Sequence, residues 1–213
     1  MAAPFTLPRL YPILDAGLLA RAGIPVETFA RQLREAGVRF LQYRDKDGSN
    51  EKVLQTAALL RGVFPAPECR LILNDRAALC RAAAFDGVHL GQEDMEPAEA
   101  RALLGPGAVL GLSTHSPRQL AQADASPVDY VAIGPIYATS SKLNPDPVLG
   151  LDGLRAARGQ TTKPLVAIGG ITQDQCRSVL GAGADSVSVI SALLPGTKST
   201  RELAEEFLLL AGG

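Results

Sequence analysis

The sequence predicts a single-domain α/β protein of the (β/α)₈ TIM-barrel class, on the basis of its length, its hydrophobic composition and its alternating strands and helices. At 213 residues, the chain is near the lower end for such a barrel and too short for two ordinary α/β domains, so residues 1–213 form one domain. Hydrophobic residues make up 46%, aromatic residues only 5%, and Trp is absent. We therefore expect a core of Leu, Val, Ile and Ala, the usual filling of a barrel interior.

Short apolar runs alternate with longer helical patterns along the whole chain. The predicted strands span residues 10–14, 40–43, 71–73, 87–90, 109–112, 130–133, 165–168 and 187–190. The predicted helices span residues 26–36, 51–62, 77–84, 98–104, 118–124, 153–158, 173–181 and 201–210. An open doubly wound sheet would also alternate in this way. Eight units fit a closed barrel better, and Asp15-Ala16-Gly17 stands where a GxGxxG motif would follow the first strand.

Composition argues against several other classes of protein. The net charge is −1, from 21 basic and 22 acidic residues, and no basic stripe indicates a nucleic-acid partner. The amino terminus lacks the pattern of a signal peptide, and no apolar run is long enough to span a membrane, so we expect a cytoplasmic protein without a membrane partner. The three cysteines form no CxxC pair and are expected to be unpaired thiols. The sequence leaves open whether the protein forms a homo-oligomer.

Polar residues concentrate where the predicted strands end. They are Gln42, Tyr43, Arg44, Asp45 and Lys46 after the second strand, Asn74, Asp75 and Arg76 after the third, Asp94 after the fourth, Ser113, Thr114 and His115 after the fifth, Thr139, Ser140, Ser141 and Lys142 after the sixth, and Ser191 after the eighth. A parallel barrel keeps its active site at the carboxyl ends of its strands. The connections at the opposite ends of the strands carry no comparable polar groups. The difference between the two faces predicts an enzyme.

Glycines and charged residues on the same predicted rim predict binding of anions and of a metal. Gly169 and Gly170 after the seventh strand, with a short helix after the eighth, suggest a phosphate site, although a tight strand-to-helix turn would also need glycine. Asp75 and Asp94 are candidate Mg²⁺ ligands, with helix capping as the alternative for each. Arg44, Lys46 and Lys142 would place positive charge on the same rim.

In order and spacing, these segments resemble the thiamine phosphate synthase family, also called thiamine phosphate pyrophosphorylase. The resemblance covers nearly the whole chain and rests on LYPILD, QYRDK, NDR, DGVHLGQEDM, GLSTHS, DYVAIGPIYATSSK, PLVAIGGIT and AGADSVSVISAL. It implies a transferase that joins 4-amino-2-methyl-5-(diphosphooxymethyl)pyrimidine to 4-methyl-5-(2-phosphooxyethyl)thiazole, with loss of diphosphate. Its partners would be these small-molecule substrates, and its cofactor Mg²⁺.

The resemblance also implies a role for individual residues. Asp75 and Asp94 would bind Mg²⁺, and Arg44, Lys46, Ser113 and Lys142 would be catalytic. Gln42, Tyr43, Arg44, Asp45, Lys46, Asn74 and Ser113 would bind substrate, with the pyrimidine diphosphate held by Gln42, Arg44, Lys46, Asn74, Ser113 and Lys142. Thr139, Ser140 and Ser141 would contact the thiazole, and Gly170, Ile190 and Ser191 its phosphate. Family members often carry Thr where this chain has Ser141, a change that keeps the hydroxyl group.

Two other functions stay open. A thiazole tautomerase of a related branch would tend to lose the charged groups of the diphosphate site, and here QYRDK, NDR and GQED are intact. A non-catalytic sensor of thiazole phosphate would keep the glycines without needing Asp75, Asp94 or Lys142. The role of His115, the metal preference and the position of the loop over residues 135–150 are not determined by the sequence.

Overall fold

Eight parallel strands close into a barrel in the computed structural model, which describes residues 6–139 and 146–212. The strands are β1 (Leu10–Asp15), β2 (Phe40–Arg44), β3 (Arg70–Asn74), β4 (Gly87–Leu90), β5 (Val109–Thr114), β6 (Tyr130–Ile133), β7 (Leu165–Ile168) and β8 (Ser186–Val189). Each strand pairs with the next, and β8 pairs with β1. The predicted TIM barrel is therefore confirmed.

The helices surround this barrel in chain order. They are α1 (Ala16–Arg21), α2 (Val26–Glu35), α3 (Asn50–Val63), α4 (Pro97–Leu104), α5 (Pro117–Asp124), α6 (Gly150–Arg158), α7 (Gln173–Gly181) and α8 (Thr200–Ala211). Short 3₁₀ turns cover Ala77–Leu79 and Ser191–Leu193. Among the described residues, none of the helices is both long and apolar enough to cross a membrane.

Two connections differ from the prediction. The expected helix over residues 77–84 is only a 3₁₀ turn followed by further turns, because Ala84 has a φ of 54°, which a right-handed helix cannot contain. The short helix α1 was not predicted. It begins because the carboxylate of Asp15 accepts a hydrogen bond from the amide of Leu18 at 2.7 Å and so caps its first turn.

The layer between the barrel and its helices is mainly aliphatic, as composition predicted, although it also contains five buried aromatic side chains. The barrel interior is richer in aromatic residues. Three aromatic rings, those of Tyr11, Phe40 and Tyr130, are buried inside the barrel. Gly111 on β5 makes room for one of them, since a Cβ there would lie 2.1 Å from Cζ of Tyr130. All three cysteines are unpaired, as predicted, and they are buried.

A repeated clamp fastens the amino-terminal face of the barrel. In each copy an aspartate just before an even-numbered strand accepts hydrogen bonds from an arginine of an earlier helix and from a backbone amide of the preceding odd-numbered strand. The three copies are Asp86 with Arg61 (2.6 Å) and Leu71 (2.7 Å), Asp129 with Arg101 (2.8 Å) and Leu110 (2.7 Å), and Asp185 with Arg158 (2.8 Å) and Leu165 (2.8 Å). Each copy satisfies backbone and charge together, so we assign this face to stability.

Candidate active site

The opposite rim, at the carboxyl ends of the strands, begins with an ion pair between neighbouring strands. Asp15 ends β1 and Arg44 ends β2, and the two residues pair in the sheet register. One carboxylate oxygen of Asp15 accepts a hydrogen bond from Nη1 of Arg44, while its other oxygen caps α1. Because the aspartate is buried and doubly bonded, it fixes the guanidinium group of Arg44 at the rim.

The loop after β2 carries Lys46 to the end of β3. Its Nζ lies 2.7 Å from Oδ2 of Asp75, and the lysine side chain is about half exposed. Arg76 holds this loop in shape, because its guanidinium donates to the carbonyl oxygens of Asp45, Lys46 and Gly48 at 3.2, 3.3 and 2.7 Å. It also donates to the side chain of Asn50 at 2.7 Å. Arg76 therefore ties the loops after β2 and β3 together.

Asp75 and Asp94 lie side by side on this rim. Burial raises the pKa of Asp94, a hydrogen bond with Asp75 raises it further, and the amide of Gly91 and the charge of Lys46 lower it. That amide donates to Oδ2 of Asp94 at 2.6 Å. Asp75 adopts a φ of 63°, an uncommon conformation for a residue other than glycine, although aspartate adopts it more readily than most residues.

Helix capping does not account for either aspartate. The residue before the turn at Ala77 is Arg76, the residue before α4 is Glu96, and neither helix start has a side-chain cap. Two adjacent carboxylates repel one another unless a proton or a cation offsets their charge, and here the ammonium group of Lys46 contacts Oδ2 of Asp75.

A hard divalent cation fits this pair of residues. Mg²⁺ takes one or two carboxylates and completes its shell with water and substrate phosphate oxygens. In residues 6–139 and 146–212, no cluster of three or more His, Cys, Asp or Glu is arranged to bind a metal ion. The donor set of Asp75 and Asp94 is therefore suited to a cation that a diphosphate helps to hold.

Gln42, Asn74 and Ser113 line the mouth of the barrel below the charged rim. Gln42 is buried and donates from Nε2 to the hydroxyl of Tyr11 at 2.7 Å. The hydroxyl of Ser113 lies 2.8 Å from Nε2 of His89, and its carbonyl accepts from Gln92. Asn74 ends β3 and is half-buried beside His89 in the sheet register. The structure thus gathers these predicted binding residues around one opening.

Tyr43 and Asp45 have other positions. The Tyr43 side chain is fully buried against the helices, because successive side chains of a strand point to opposite faces and its neighbours Gln42 and Arg44 point inwards. The Asp45 carboxylate accepts from the amide of Gly48 at 2.9 Å and from the Tyr43 hydroxyl at 3.3 Å. The Tyr43 ring therefore cannot reach a ligand in the barrel mouth, and Asp45 shapes the loop that carries Lys46.

The glycine turn after β7 packs against the loop after β6. Gly169 and Gly170 have φ values of 101° and 65°, and a Cβ on Gly170 would lie 2.3 Å from the carbonyl oxygen of Ala138. Close backbone packing is thus one reason for glycine here. The turn over Ser191–Leu193 begins at Ile190 after β8. The first amides of such a turn have no acceptor within it and suit an anion.

The loop after β6 is described in part. Thr139 is half-buried, while Ser140, Ser141 and Lys142 lie outside the described residues. His115 connects two strand ends, because its Nδ1 donates to the carbonyl oxygen of Gly134 at 2.7 Å and lies 3.6 Å from Oδ2 of Asp146. These contacts indicate a structural role for His115.

Comparison with known proteins agrees with this geometry. Residues 10–193 match the family described as thiamine monophosphate synthase. A thiamine-phosphate synthase of Koribacter versatilis is 54% identical over 210 residues, covering 98% of each chain. This chain belongs to the thiamine monophosphate synthase family. A family relative of Azorhizobium caulinodans, also named thiamine-phosphate synthase, is 38% identical over 193 residues, covering 91% of this chain and 90% of its own.

Solved structures related to this thiamine monophosphate synthase family member give the same fold. The thiamine phosphate pyrophosphorylase of Pyrococcus furiosus superimposes with a TM-score of 0.84 at 28% identity, over 96% of both chains. A tryptophan synthase α-subunit of the same organism reaches a TM-score of 0.68 at 19% identity, covering 96% of this chain and 98% of its own, and shows likeness of fold alone.

Sequence reasoning missed two residues of this family member's rim. Asp15 was noted only as a residue after the first predicted strand, and Arg76 was placed at the end of the third strand without a role. A usable signal existed for Asp15, because it is charged and ends the buried run LYPILD. The role of Arg76 could not be predicted in this way, since its four acceptors come from a segment about 30 residues earlier in the chain.

Proposed function

We propose that this protein makes thiamine phosphate by joining the aminopyrimidine diphosphate to the thiazole phosphate, and that it needs Mg²⁺ and releases diphosphate. The observation that carries the proposal is the rim that combines Asp75 and Asp94 with Lys46 and the Asp15-held Arg44. Membership of the family supports the choice of substrates. The cytoplasmic location stays a prediction.

The reaction breaks the C–O bond between the pyrimidine methylene and the diphosphate and forms a C–N bond to the thiazole nitrogen. The aminopyrimidine ring stabilises the positive charge left on the methylene, so no general base is needed for bond formation. The chain must therefore neutralise the leaving group, exclude water and position the thiazole. Bound Mg²⁺ would be held by Asp75 and Asp94 and would supply charge neutralisation for the diphosphate.

We assign the remaining tasks to the residues around the mouth. Arg44 and Lys46 bind the diphosphate oxygens, and Lys142 adds a third cation. Gln42, Asn74 and Ser113 orient the pyrimidine. Thr139, Ser140 and Ser141 contact the thiazole, whose phosphate binds the amides near Gly170, Ile190 and Ser191. Asp15 positions Arg44 through its hydrogen bond to the guanidinium group, and Arg76 positions Lys46 through the loop that carries it.

The test is to incubate the purified protein with both substrates and Mg²⁺ and to measure thiamine phosphate and diphosphate. Equal amounts of the two products, activity abolished by chelator and restored by Mg²⁺, and strongly reduced turnover in Asp75→Ala are expected. Asp129→Ala, in a clamp on the far face, is the matched control and should keep turnover at temperatures where it stays folded. No product from wild-type protein, or full activity in Asp75→Ala, would contradict the proposal.

A further inference from the structure

A continuous chain of hydrogen bonds crosses the interior of the barrel. Gln42 donates to the hydroxyl of Tyr11 at 2.7 Å, which lies 2.8 Å from the hydroxyl of Tyr130. That hydroxyl lies 2.9 Å from Nδ1 of His89, whose Nε2 lies 2.8 Å from the hydroxyl of Ser113. The chain therefore joins two strand-end residues from opposite sides of the mouth through three buried rings.

The three rings are fixed in place by packing. The rings of His89 and Tyr130 stack at 5.5 Å between centroids and 24° between planes, and Tyr11 meets Tyr130 edge-on at 5.8 Å. Gly111 provides the space, since any side chain there would overlap Tyr130. Such enclosure leaves the hydroxyl protons, rather than the rings, as the adjustable part of the chain.

The polarity of the whole chain follows from its first bond. Because the Tyr11 hydroxyl accepts from Gln42 and has one proton, it donates to Tyr130, and the Tyr130 proton then goes to Nδ1 of His89. An imidazole that accepts at Nδ1 carries its proton on Nε2, so it donates to Ser113. The Ser113 proton is then left to point towards the mouth.

The same polarity determines what Gln42 offers. Tyr11 lies two residues nearer the amino end of β1 than Ile13, the register partner of Gln42, so the phenol is deeper in the barrel than the amide. An amide nitrogen turned down to Tyr11 leaves the oxygen Oε1 on the opposite fork, towards the mouth. The mouth thus presents an acceptor from Gln42 and a donor from Ser113. Turning the Gln42 amide over would reverse the direction of every hydrogen bond along the chain, and Ser113 would then present an acceptor.

We propose that Tyr11, Tyr130 and His89 are positioning residues that set these two ends together and so select an aminopyrimidine over an oxopyrimidine. This inference rests on the proposed function for its substrate. An amino group donates to Oε1 of Gln42 while an unprotonated ring nitrogen accepts from Ser113. An oxopyrimidine offers an acceptor in place of the amino group and so mismatches Oε1 of Gln42, and its ring N–H also mismatches Ser113 where it lies on the nitrogen that faces this residue.

The test compares the 4-amino pyrimidine diphosphate with its 4-oxo analogue in three proteins. Tyr130→Phe breaks the chain of hydrogen bonds at its centre and leaves Gln42 and Ser113 in place. We expect the preference for the amino compound, measured as the ratio of the two kcat/KM values, to fall about tenfold. Thr114→Val is the matched control, because it also removes a buried, hydrogen-bonded hydroxyl beside Ser113 but on the outer face of β5. Its preference should stay within about twofold of wild type.

A second readout does not depend on turnover. The chain contains two histidines, so nitrogen-15 NMR can assign the tautomer of His89, with His115 as an internal reference. We expect the Nε2-protonated form in wild type and a loss of that single form in Tyr130→Phe. Should Tyr130→Phe fail to fold, Tyr11→Phe cuts the neighbouring bond and takes its place.

The outcomes separate this inference from the proposed function. If wild-type protein makes no thiamine phosphate, the proposed function is wrong. The role of the hydrogen-bond chain is then tested by the tautomer of His89 and by calorimetric measurement of the affinity for the two pyrimidine diphosphates. An Nδ1-protonated His89 in wild type would overturn the inference about the hydrogen-bond chain. So would an equal preference for the amino compound in Tyr130→Phe and Thr114→Val.

Discussion

Replacing Gly170 by alanine tests whether the glycine turn exists for backbone packing, for anion binding or for both. The φ of 65° costs an alanine about 1–2 kcal/mol. The new Cβ would also lie 2.3 Å from the carbonyl oxygen of Ala138, and moving that backbone costs a further ~1–3 kcal/mol. We therefore expect Gly170→Ala to lower the free energy of unfolding by about 2–5 kcal/mol.

The matched control is Gly37→Ala. Gly37 has a φ of 89°, but a Cβ there would meet nothing within 4 Å, so this variant loses only the first contribution, about 1–2 kcal/mol. Urea unfolding of both variants, with thiazole-phosphate affinity measured by calorimetry, gives the two quantities. Similar losses of stability in both variants would refute the close-packing argument. A large loss at Gly170 with unchanged affinity would instead refute the phosphate site.

Four further predictions concern the two faces of the barrel and its interior. Asp75→Asn should lower kcat/KM on the order of 100-fold in the thiamine phosphate assay while leaving thermal stability unchanged or higher, because it removes a charge beside Asp94 and Asn tolerates positive φ. Asp129→Asn should lower stability without affecting catalysis: denaturant titration should show the free energy of unfolding reduced by about 1–3 kcal/mol, with kcat/KM unchanged. The reason is that one amide oxygen cannot replace a carboxylate bonded to both an arginine and a backbone amide. Arg76→Lys should lower kcat/KM roughly tenfold without loss of charge, because lysine cannot bond four acceptors at once; an unchanged value would show that the loop needs no such tie. Burial lowers the pKa of His89 to about 4 from its ordinary 6.5. The contribution of the neutral imidazole to stability is therefore present above pH 6.5 and is lost as the pH falls towards 4. Between about pH 7 and pH 5, urea unfolding should show that the free energy of unfolding of wild type falls by about 2 kcal/mol more than that of His89→Asn.

The sequence predicted much of the rim, because the position of a residue at the end of a parallel strand is enough to place it there. Asp75 and Asp94 are the clearest example: the chain separates them by a whole strand, yet they lie in contact. Tyr43 shows where more was available, since the alternation of strand side chains turns it outwards once Gln42 and Arg44 face the mouth.

Other features depended on information that a single sequence lacks. The aromatic interior follows from the sheet register, which brings Gly111 opposite Tyr130. The 3₁₀ turn at Ala77–Leu79 replaces a predicted helix, and the positive φ of Ala84, which ends this segment, cannot be read from a run of helix-forming alanines. The chain of hydrogen bonds from Gln42 to Ser113 likewise needed coordinates, since its members come from five different strands.

The clamps on the amino-terminal face also affect the order in which the barrel can assemble. Their arginine and aspartate partners lie only 25, 28 and 27 residues apart in the chain, so each joins a segment short enough to form during synthesis. Barrel closure instead pairs the first strand with the last. Asp15 ends the first strand and Ser191 follows the last, so we expect a chain released before β8 to acquire local structure without gaining affinity for phosphate. In such a fold, the ability to bind substrate reports that the final strand has docked.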